Sequence, residues 1–376
     1  MERLDINTVE ILEGFDGKTC KVNPKMAYDG KSTYLMNYTM LDLSGSDVFN
    51  DSYTAFGSSP SKEVEPVNVF SPFYDDKYKY VYYENVIYYN KYMSRFVSFG
   101  ILQRFPREDV KNLKDDLGSF YKNVMRFYDT ENKCYDGGYY EIPFPFELSN
   151  ACPHAQVIEN EKGEMLLSFY YAEKGEKKHK VITILYKFED NELKIVKIGT
   201  PVFLDSDKYT RGMLEPSVIK YGDKFYMTIR TDREALWSVS DNGFDFSVPT
   251  PHVFDDGTLI ESYNTMTRWI KLYDKLYLVY TRKNGKNDHV FRNRAPLYIT
   301  RFDTERGCLI RSEEQIVAPE KGARLGNFSV CDIGDKYIVT VAEWMQTNPP
   351  NPFDYTVCQK YGSNNRIWIS EITAKK

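Results

Sequence analysis

The chain has 376 residues, enough for one large or two ordinary domains with a sizeable core. Its 49 Lys and Arg stand against 54 Asp and Glu, a formal charge of −5, so it lacks the basic excess that phosphate contacts demand and does not read as a nucleic-acid binder. No run of about 18 apolar residues is present, so no spanning helix and no membrane partner are expected.

The N-terminal "MERLDINTVE" has neither a basic region nor an apolar stretch of signal-peptide type. The six cysteines (Cys20, Cys134, Cys152, Cys308, Cys331 and Cys358) are scattered without a CxxC pair. A zinc site or a disulfide framework is therefore not expected, and a reducing cytoplasm is.

Along the chain one phrase recurs six times: "NPKMAYDGKSTYLMNYTM" from Asn23, "SPFYDDKYKYVYYEN" from Ser71, "PHAQVIENEKGEMLLSFYYAE" from Pro153, "EPSVIKYGDKFYMTIRTD" from Glu215, "NTMTRWIKLYDKLYLVYTRK" from Asn264 and "GNFSVCDIGDKYIVTVAEW" from Gly326. Each has a small or polar opening, a short strand, a turn of Asp, Gly, Asn or Lys, and a longer aromatic-rich strand, which is a hairpin signal. Most of the 31 Tyr and 23 Phe fall to strand formation. After the fourth copy, "ALWSVSD" supplies a third strand, "DNG" a turn and "FDFSVP" an outer strand. Unequal intervals between copies suit four-stranded blades with loop insertions.

The expectation is an all-β, six-bladed β-propeller in a single domain, 1–376, with blades starting near 20, 67, 150, 211, 260 and 322. The N-terminal "NTVEILEG" has no blade of its own and is expected to lie beside "RIWISEI" (Arg366–Ile372), closing the ring. One segment, "PREDVKNLKDDLGSFYKNVMRFYDTENK", carries Val110, Leu113, Leu117, Phe120, Val124 and Phe127 at helical spacing, which predicts a helix inserted in the second blade.

In a propeller the openings of the innermost strands converge on one mouth of the central channel. Asn23, Ser71, His154, Glu215, Asn264 and Asn327 open the repeats, and Glu173, Arg230, Asp232, Arg282, Arg294 and Glu343 lie near later strand ends or loops. Cations and carboxylates in one concave mouth suit an anionic sugar. The chain holds no Gly-rich phosphate loop, HExxH or GxSxG, and no cofactor or metal is expected. Of the four His, His154 stands at a blade start and can act as acid or base, His289 in "NDHVF" lies on a loop, and His179 and His252 read as surface residues.

"SVSDNGFDF" (Ser238–Phe246) is similar to the Asp-box, Ser-x-Asp-x-Gly-x-x-Trp/Phe, a structural turn in which Ser240 or Ser238, Asp241 and Gly243 would take part. With the phrases "RGMLEPSV", "RTD", "NDHVFRNRAPLYI" and "AEWMQ", the chain from about His154 resembles the sialidase superfamily, and most of all sialidase-like proteins with such repeats. The resemblance implies an exo-acting glycoside hydrolase for a terminal acidic sugar on an oligosaccharide. In that family a Glu is followed fifteen residues later by an Arg across one hairpin, and Glu215 and Arg230 fit. It implies that Arg230 and Arg294, with Arg292 as rival, bind a carboxylate and that Glu215 is a functional carboxylate.

Two departures matter. Val22-Asn23-Pro24 stands where the family has Arg-Ile-Pro, so a first Arg is missing there unless Lys21 or Arg104 intrudes. The nucleophilic Tyr that opens the sixth blade is replaced around Asn327 and Phe328, and without it the covalent mechanism has no nucleophile, Tyr361 being a remote substitute.

A propeller lyase family acting on glucuronate-linked sugars is also similar in layout and uses a His; there Arg230 and Arg294 would neutralise the uronate while His154 takes the proton. Asp232, Glu173, Asp288 and Glu343 remain acid or base partners for hydrolysis, with Arg282, His289, Asn327 and Glu343 in substrate contact. A non-catalytic carbohydrate-binding propeller is the further alternative, and oligomeric state is not legible.

Overall fold

The computed structural model describes residues 3–45, 48–61, 65–107 and 121–374. Among these, antiparallel pairing sorts the strands into six sheets. The first holds Thr19–Tyr28, Tyr34–Asp42, Phe49–Gly57 and Val67–Phe70; the third Leu148–Glu159, Met165–Glu173, Lys180–Glu189 and Glu192–Ile198; the fourth Leu214–Tyr221, Lys224–Arg230, Ala235–Ser240 and Thr250–Pro251. The second is built on Tyr78–Asn90, Arg95–Pro106 and Tyr121–Asp129, and the fifth on Arg268–Leu272, Lys275–Thr281 and Leu297–Asp303, each with short edge pieces. The sixth runs Arg324–Asp332, Tyr337–Trp344, Ile367–Ala374 and then Leu4–Ile11. The first strand of the chain pairs antiparallel with the last, from Leu4 opposite Ala374 to Ile11 opposite Ile367.

The innermost strands touch in sequence, first to second and so on round to sixth and first, closing a ring. Each neighbouring pair of sheets shares its own apolar cluster, for example Phe169 and Tyr186 with Val97 and Phe99 between the third and second, and Trp269 with Tyr226 between the fifth and fourth. Alternating side chains pack sheet on sheet around the axis. The arrangement is a β-propeller; counted as regular blades it has five rather than the expected six. The sheets are uneven, and the outer strand of the fourth is only the two residues Thr250–Pro251. The sheet numbers used here follow the hydrogen-bond pairing.

Several expectations are corrected. The segment Tyr121–Asp129 is a strand paired with Arg95–Pro106, so Val124 and Phe127 belong to no helix. Both faces of that strand are buried, Val124, Met125, Phe127 and Tyr128 all being at most 2 % exposed, and a continuous apolar run mimics helical spacing. Val110, Leu113, Leu117 and Phe120 lie outside the described residues. The strand near residue 67 is the outer strand of the first sheet rather than the opening of the second. Ser71 opens no innermost strand; it is exposed and accepts a hydrogen bond from Asn68, and Glu84 takes the inward position on Tyr78–Asn90. "FDFSVP" is a loop, because the pairing edge is already taken by the following Thr250–Pro251.

The hairpin at Ser238–Phe246 also differs in detail. Ser240 Oγ accepts from the backbone N–H groups of Asn242 and Gly243, and Asn242 Oδ1 accepts from those of Phe244 and Asp245, so Asn242 does the work expected of Asp241. Asp241 instead points outward beside Lys224. Gly243 is required, since its φ is +79° and an added Cβ would sit 3.1 Å from the Phe225 ring. Its carbonyl accepts from Thr183 Oγ1 at 2.7 Å, tying the fourth sheet to the third.

Candidate functional site

Near the openings of four innermost strands the backbone enters the left-handed region: Asn23 (φ 54°), Glu215 (φ 48°), Asn264 (φ 47°) and Asn327 (φ 56°). Three of these sit in β-bulges, at Val22/Lys25, Leu214/Ser217 and Gly326/Ser329. A bulge breaks the period-two alternation and re-aims a side chain. Asn tolerates this conformation best, whereas Glu215, followed by Pro216, holds it at a cost of about 1–2 kcal/mol, a strain that clusters at functional positions.

Glu215 meets Arg230 in a buried ion pair across its hairpin. Arg230 also places Nε and Nη2 on Asn264 Oδ1, at 3.0 and 2.6 Å. Arg211 reaches the same oxygen, and Arg294 Nη2 donates to the Asn264 carbonyl. Gly326 gives Arg294 room, its absent Cβ lying 3.2 Å from Nη1. Burial lowers the Arg294 guanidinium well below its ordinary value, and the charges of Arg324 and Arg230 lower it further. For Arg292 burial and then Arg230 and Arg211 act in the same direction. Five guanidinium groups thus crowd together with two carboxylates, Glu215 paired with Arg230 and Asp232 paired with Arg211.

Burial pushes the Glu215 carboxyl up, but Arg230 first, then His154 and Arg294, bring it down to about 2. It is ionised at any working pH and cannot donate a proton. Its Oε2 and the Nε of Arg294 are buried without a hydrogen-bond partner. Each calls for a partner such as a water, an ion or a ligand group.

His154 joins the cluster from the third sheet. Its Nδ1 accepts from Arg268 Nη1 at 3.1 Å, and burial, then Arg268, hold its pKa well below the ordinary value, so the ring is neutral. Asn327 sits beside Asn23, donating Nδ2 to Oδ1 at 2.6 Å. That leaves an amide pair where the resemblance placed a nucleophile.

The remaining candidates lie apart from this group or are occupied. Asp232 is held at the rim by Arg211 Nε at 2.6 Å and Thr210 Oγ1 at 2.7 Å. Glu173 pairs with Lys180 at 2.9 Å. Arg282 makes a two-pronged pair with Glu314, at 2.8 and 2.6 Å. Glu343 is buried and accepts from the Asn364 and Arg366 backbones and from Trp368 Nε1. His289 bonds Glu320 at 3.0 Å and stacks on Tyr361, 4.0 Å between centroids, which occupies that tyrosine. Asp288 Oδ1 accepts from Asn293 Nδ2 at 3.1 Å. His252 is no surface residue: it is 1 % exposed, hydrogen-bonded to Thr228 and pushed down to about 3 by burial. His179 is half-buried, bonded to Asn150 Oδ1 at 2.8 Å. Lys21 donates outward to the Gly14 carbonyl, and Arg104 stacks on Tyr78, so neither supplies a first arginine.

Sequence reasoning missed Arg324, Arg268, Lys25, Glu84 and Tyr170. Arg324 opens the sixth innermost strand in "GARLGN" and lies 3.6 Å over the Trp344 ring. Lys25 donates to the Asn327 carbonyl at 3.1 Å, and burial foremost lowers it to about 7. Glu84, raised to about 7 by burial, takes two 3.1 Å contacts from the Tyr128 hydroxyl. Tyr170 packs its ring toward His154 and His179, 6.2 and 5.4 Å between centroids. For Lys25 and Arg324 the signal was position, since each lies two or three residues from a repeat opening, Asn23 or Asn327.

No family model matches the chain, and no curated protein matches it in sequence. Solved structures do match in shape. The Trypanosoma rangeli sialidase in complex with sialic acid superposes at a TM-score of 0.60 and 10 % identity over 98 % of this chain, which spans 59 % of that one. The fold is that of the sialidases. A protein of unknown function from Dyadobacter fermentans is similar over 98 % of this chain and 99 % of its own, at 13 % identity and a TM-score of 0.65. The Penicillium chrysogenum alpha-L-arabinanase complexed with arabinobiose is also similar, at 0.55 and 10 % identity, covering 97 % of both chains. At 10–13 % identity the likeness is one of fold alone.

Proposed function

We propose that this chain is a single six-bladed propeller of the sialidase type whose arginine mouth receives the carboxylate of a terminal acidic sugar and acts on its glycosidic bond. The observation that carries the reading is the charge imbalance: Arg230, Arg294, Arg324, Arg292 and Arg211 form one cluster with only two carboxylates, Glu215, which pairs with Arg230, and Asp232, which pairs with Arg211, and the Nε of Arg294 is left unbonded. Guanidinium forks match a carboxylate in two-pronged geometry, and a desolvated cluster of like charges gains most from an incoming anion.

In this reading Arg324 supplies the cation that Val22 cannot. Glu215 orients Arg230 and presents negative charge to the sugar ring. His154, neutral, is the nearest proton acceptor. The substrate is an acidic oligosaccharide in the cytoplasm.

A second reading is favoured by one observation. The resemblance puts the family's nucleophile around Asn327 and Phe328, where this chain has no tyrosine, and Asp232 and Glu173 are tied in ion pairs, which suits a module that holds an acidic sugar without cleaving it. Incubation with sialosides, uronate-terminated and neutral oligosaccharides, followed by mass spectrometry, separates the readings. Gain of water means hydrolysis, and the near-ultraviolet absorbance of an unsaturated uronate means elimination through His154. Saturable binding of acidic sugars without cleavage, lost in Arg230→Ala, means the binding module. Indifference to acidic sugars overturns both.

A further inference from the structure

A spacious opening lies at the other end of the channel. There the six innermost hairpins surround a funnel of about 1160 Å³, larger than the roughly 300–1,000 Å³ of ordinary small-molecule pockets. A narrow part lined by Lys25 and Arg268 separates it from the arginine mouth. The floor of the funnel is aliphatic, with Val86, Ile158, Val218 and Ile219.

Its rim carries two tyrosines that the fold spends effort on presenting. Tyr92 is 64 % exposed, yet its ring is held: the backbone N–H groups of Lys91 and Tyr92 both donate to the Glu159 carboxylate, at 3.0 and 2.9 Å. The ring also lies against Gly163, where an added Cβ would come within 2.5 Å of it. Tyr273 is 59 % exposed and occupies the left-handed region at φ 53°, a conformation that a bulky residue adopts rarely and at a cost of about 1–2 kcal/mol. A turn that needed only to reverse the chain would carry Gly or Asn there.

We infer that this second mouth is a binding site for a neutral oligosaccharide, with Tyr92 and Tyr273 as stacking platforms for sugar rings. Rigid aromatic faces offer large contact area at little entropic cost, and their hydroxyls leave one end wet. The charge around the funnel decides against an acidic ligand, because four carboxylates (Glu159, Glu161, Asp332 and Asp335) face two lysines, Lys91 and Lys271. The two ends of one channel thus sort glycans by charge, and the site stands independently of whatever the arginine mouth does.

The test is titration of the full chain with cellotetraose, xylotetraose, maltotetraose and mannotetraose, read by calorimetry and by saturation-transfer NMR. At least one of the four binds, and its affinity falls tenfold or more in Tyr92→Ala and in Tyr273→Ala. It is kept in Tyr92→Phe and in the double variant Arg230→Met with Glu215→Leu. Thermal melts of each variant separate loss of a platform from loss of the fold, and Gly163→Ala, which displaces the Tyr92 ring, weakens binding in the same sense. The proposal is overturned if none of the four sugars binds, if binding survives both alanine variants, or if it disappears in a double variant that melts like the parent. It is also overturned if sedimentation shows a second copy of the chain covering this face in a dimer that Tyr92→Ala dissociates.

Discussion

The two mouths of the channel are made by the same six strands, one at their openings and one at their hairpins, yet they differ in almost every physical respect. At the openings, bulges and left-handed residues push Glu215, Asn264 and Asn327 inward among buried guanidinium groups, and each side chain is positioned by another. At the hairpins, turns hold exposed tyrosines, Tyr273 in a left-handed conformation, over an aliphatic floor. The comparison teaches where a repeated hairpin can vary: its backbone irregularities build a charged site, and its turns build an aromatic one.

The largest effect expected from breaking this contrast is at Arg230. Arg230→Ala leaves Glu215 buried without its main partner, so urea unfolding should show a loss of about 3–5 kcal/mol along with the loss of acidic-sugar binding. The double variant Arg230→Met with Glu215→Leu should recover most of that stability and none of the binding, which separates charge burial from function. If the single variant unfolds like the parent, the pair is not the core of this mouth.

Next comes the buried Glu84. Its folded pKa is raised to about 7, above the unfolded value of 4.5, so between those values the folded state holds a proton that the unfolded state lacks. Stability from this group is complete below pH 4.5 and is lost as pH rises toward 7. Glu84→Gln, which imitates the protonated form, should therefore be nearly neutral at acidic pH and stabilising by about 1–3 kcal/mol above neutrality, measured by denaturant titration at the two pH values. Equal effects at both would contradict the assignment.

Away from both mouths, Gly243→Ala should cost about 1–2 kcal/mol, since φ +79° and the Phe225 ring both oppose a Cβ, while sugar binding stays as in the parent. The smallest effect is at the aromatic mouth. Tyr273→Gly should raise stability by about 0.5–1 kcal/mol by relieving the left-handed backbone, and lose neutral-sugar binding in the same step. A variant that is both looser and sugar-blind would mean that Tyr273 serves packing.

Much of the framework was legible because the repeat is written in period-two alternation with a turn after each short strand. Five of the six phrases coincide with an innermost hairpin or its opening; the second slipped by a hairpin, because "DDK" is a stronger turn signal than the "NKYMS" that reverses the chain. Glu215 and Arg230 were legible as a pair through the resemblance to the sialidase pattern, and the hairpin register, with Leu214 opposite Arg230, brings the two side chains together. Lys25 and Arg324 were not, because bulges at Val22/Lys25 and Gly326/Ser329 shift which residues face the axis and alternation counted from sequence then assigns them to the wrong side. Asp232, Glu173 and Arg282 looked free in the sequence and are spoken for in space by Arg211, Lys180 and Glu314.

The pairing of Leu4–Ile11 with Ile367–Ala374 has a consequence for how the molecule comes into being. On a ribosome the strand Leu4–Ile11 is made before the rest of the ring and then waits, edge exposed, through more than 350 residues of synthesis before its partner exists. Until then it has no third strand of the sixth sheet to join, and the ring is an open arc. Closure is the last event and the one with the longest loop to bridge, so the order of assembly is set by topology rather than by local strength. A permuted gene that joins the two ends and begins at the exposed Gly137–Gly138 turn would make that strand neighbour its partner from birth, and would tell whether lateness at this seam governs the speed of folding.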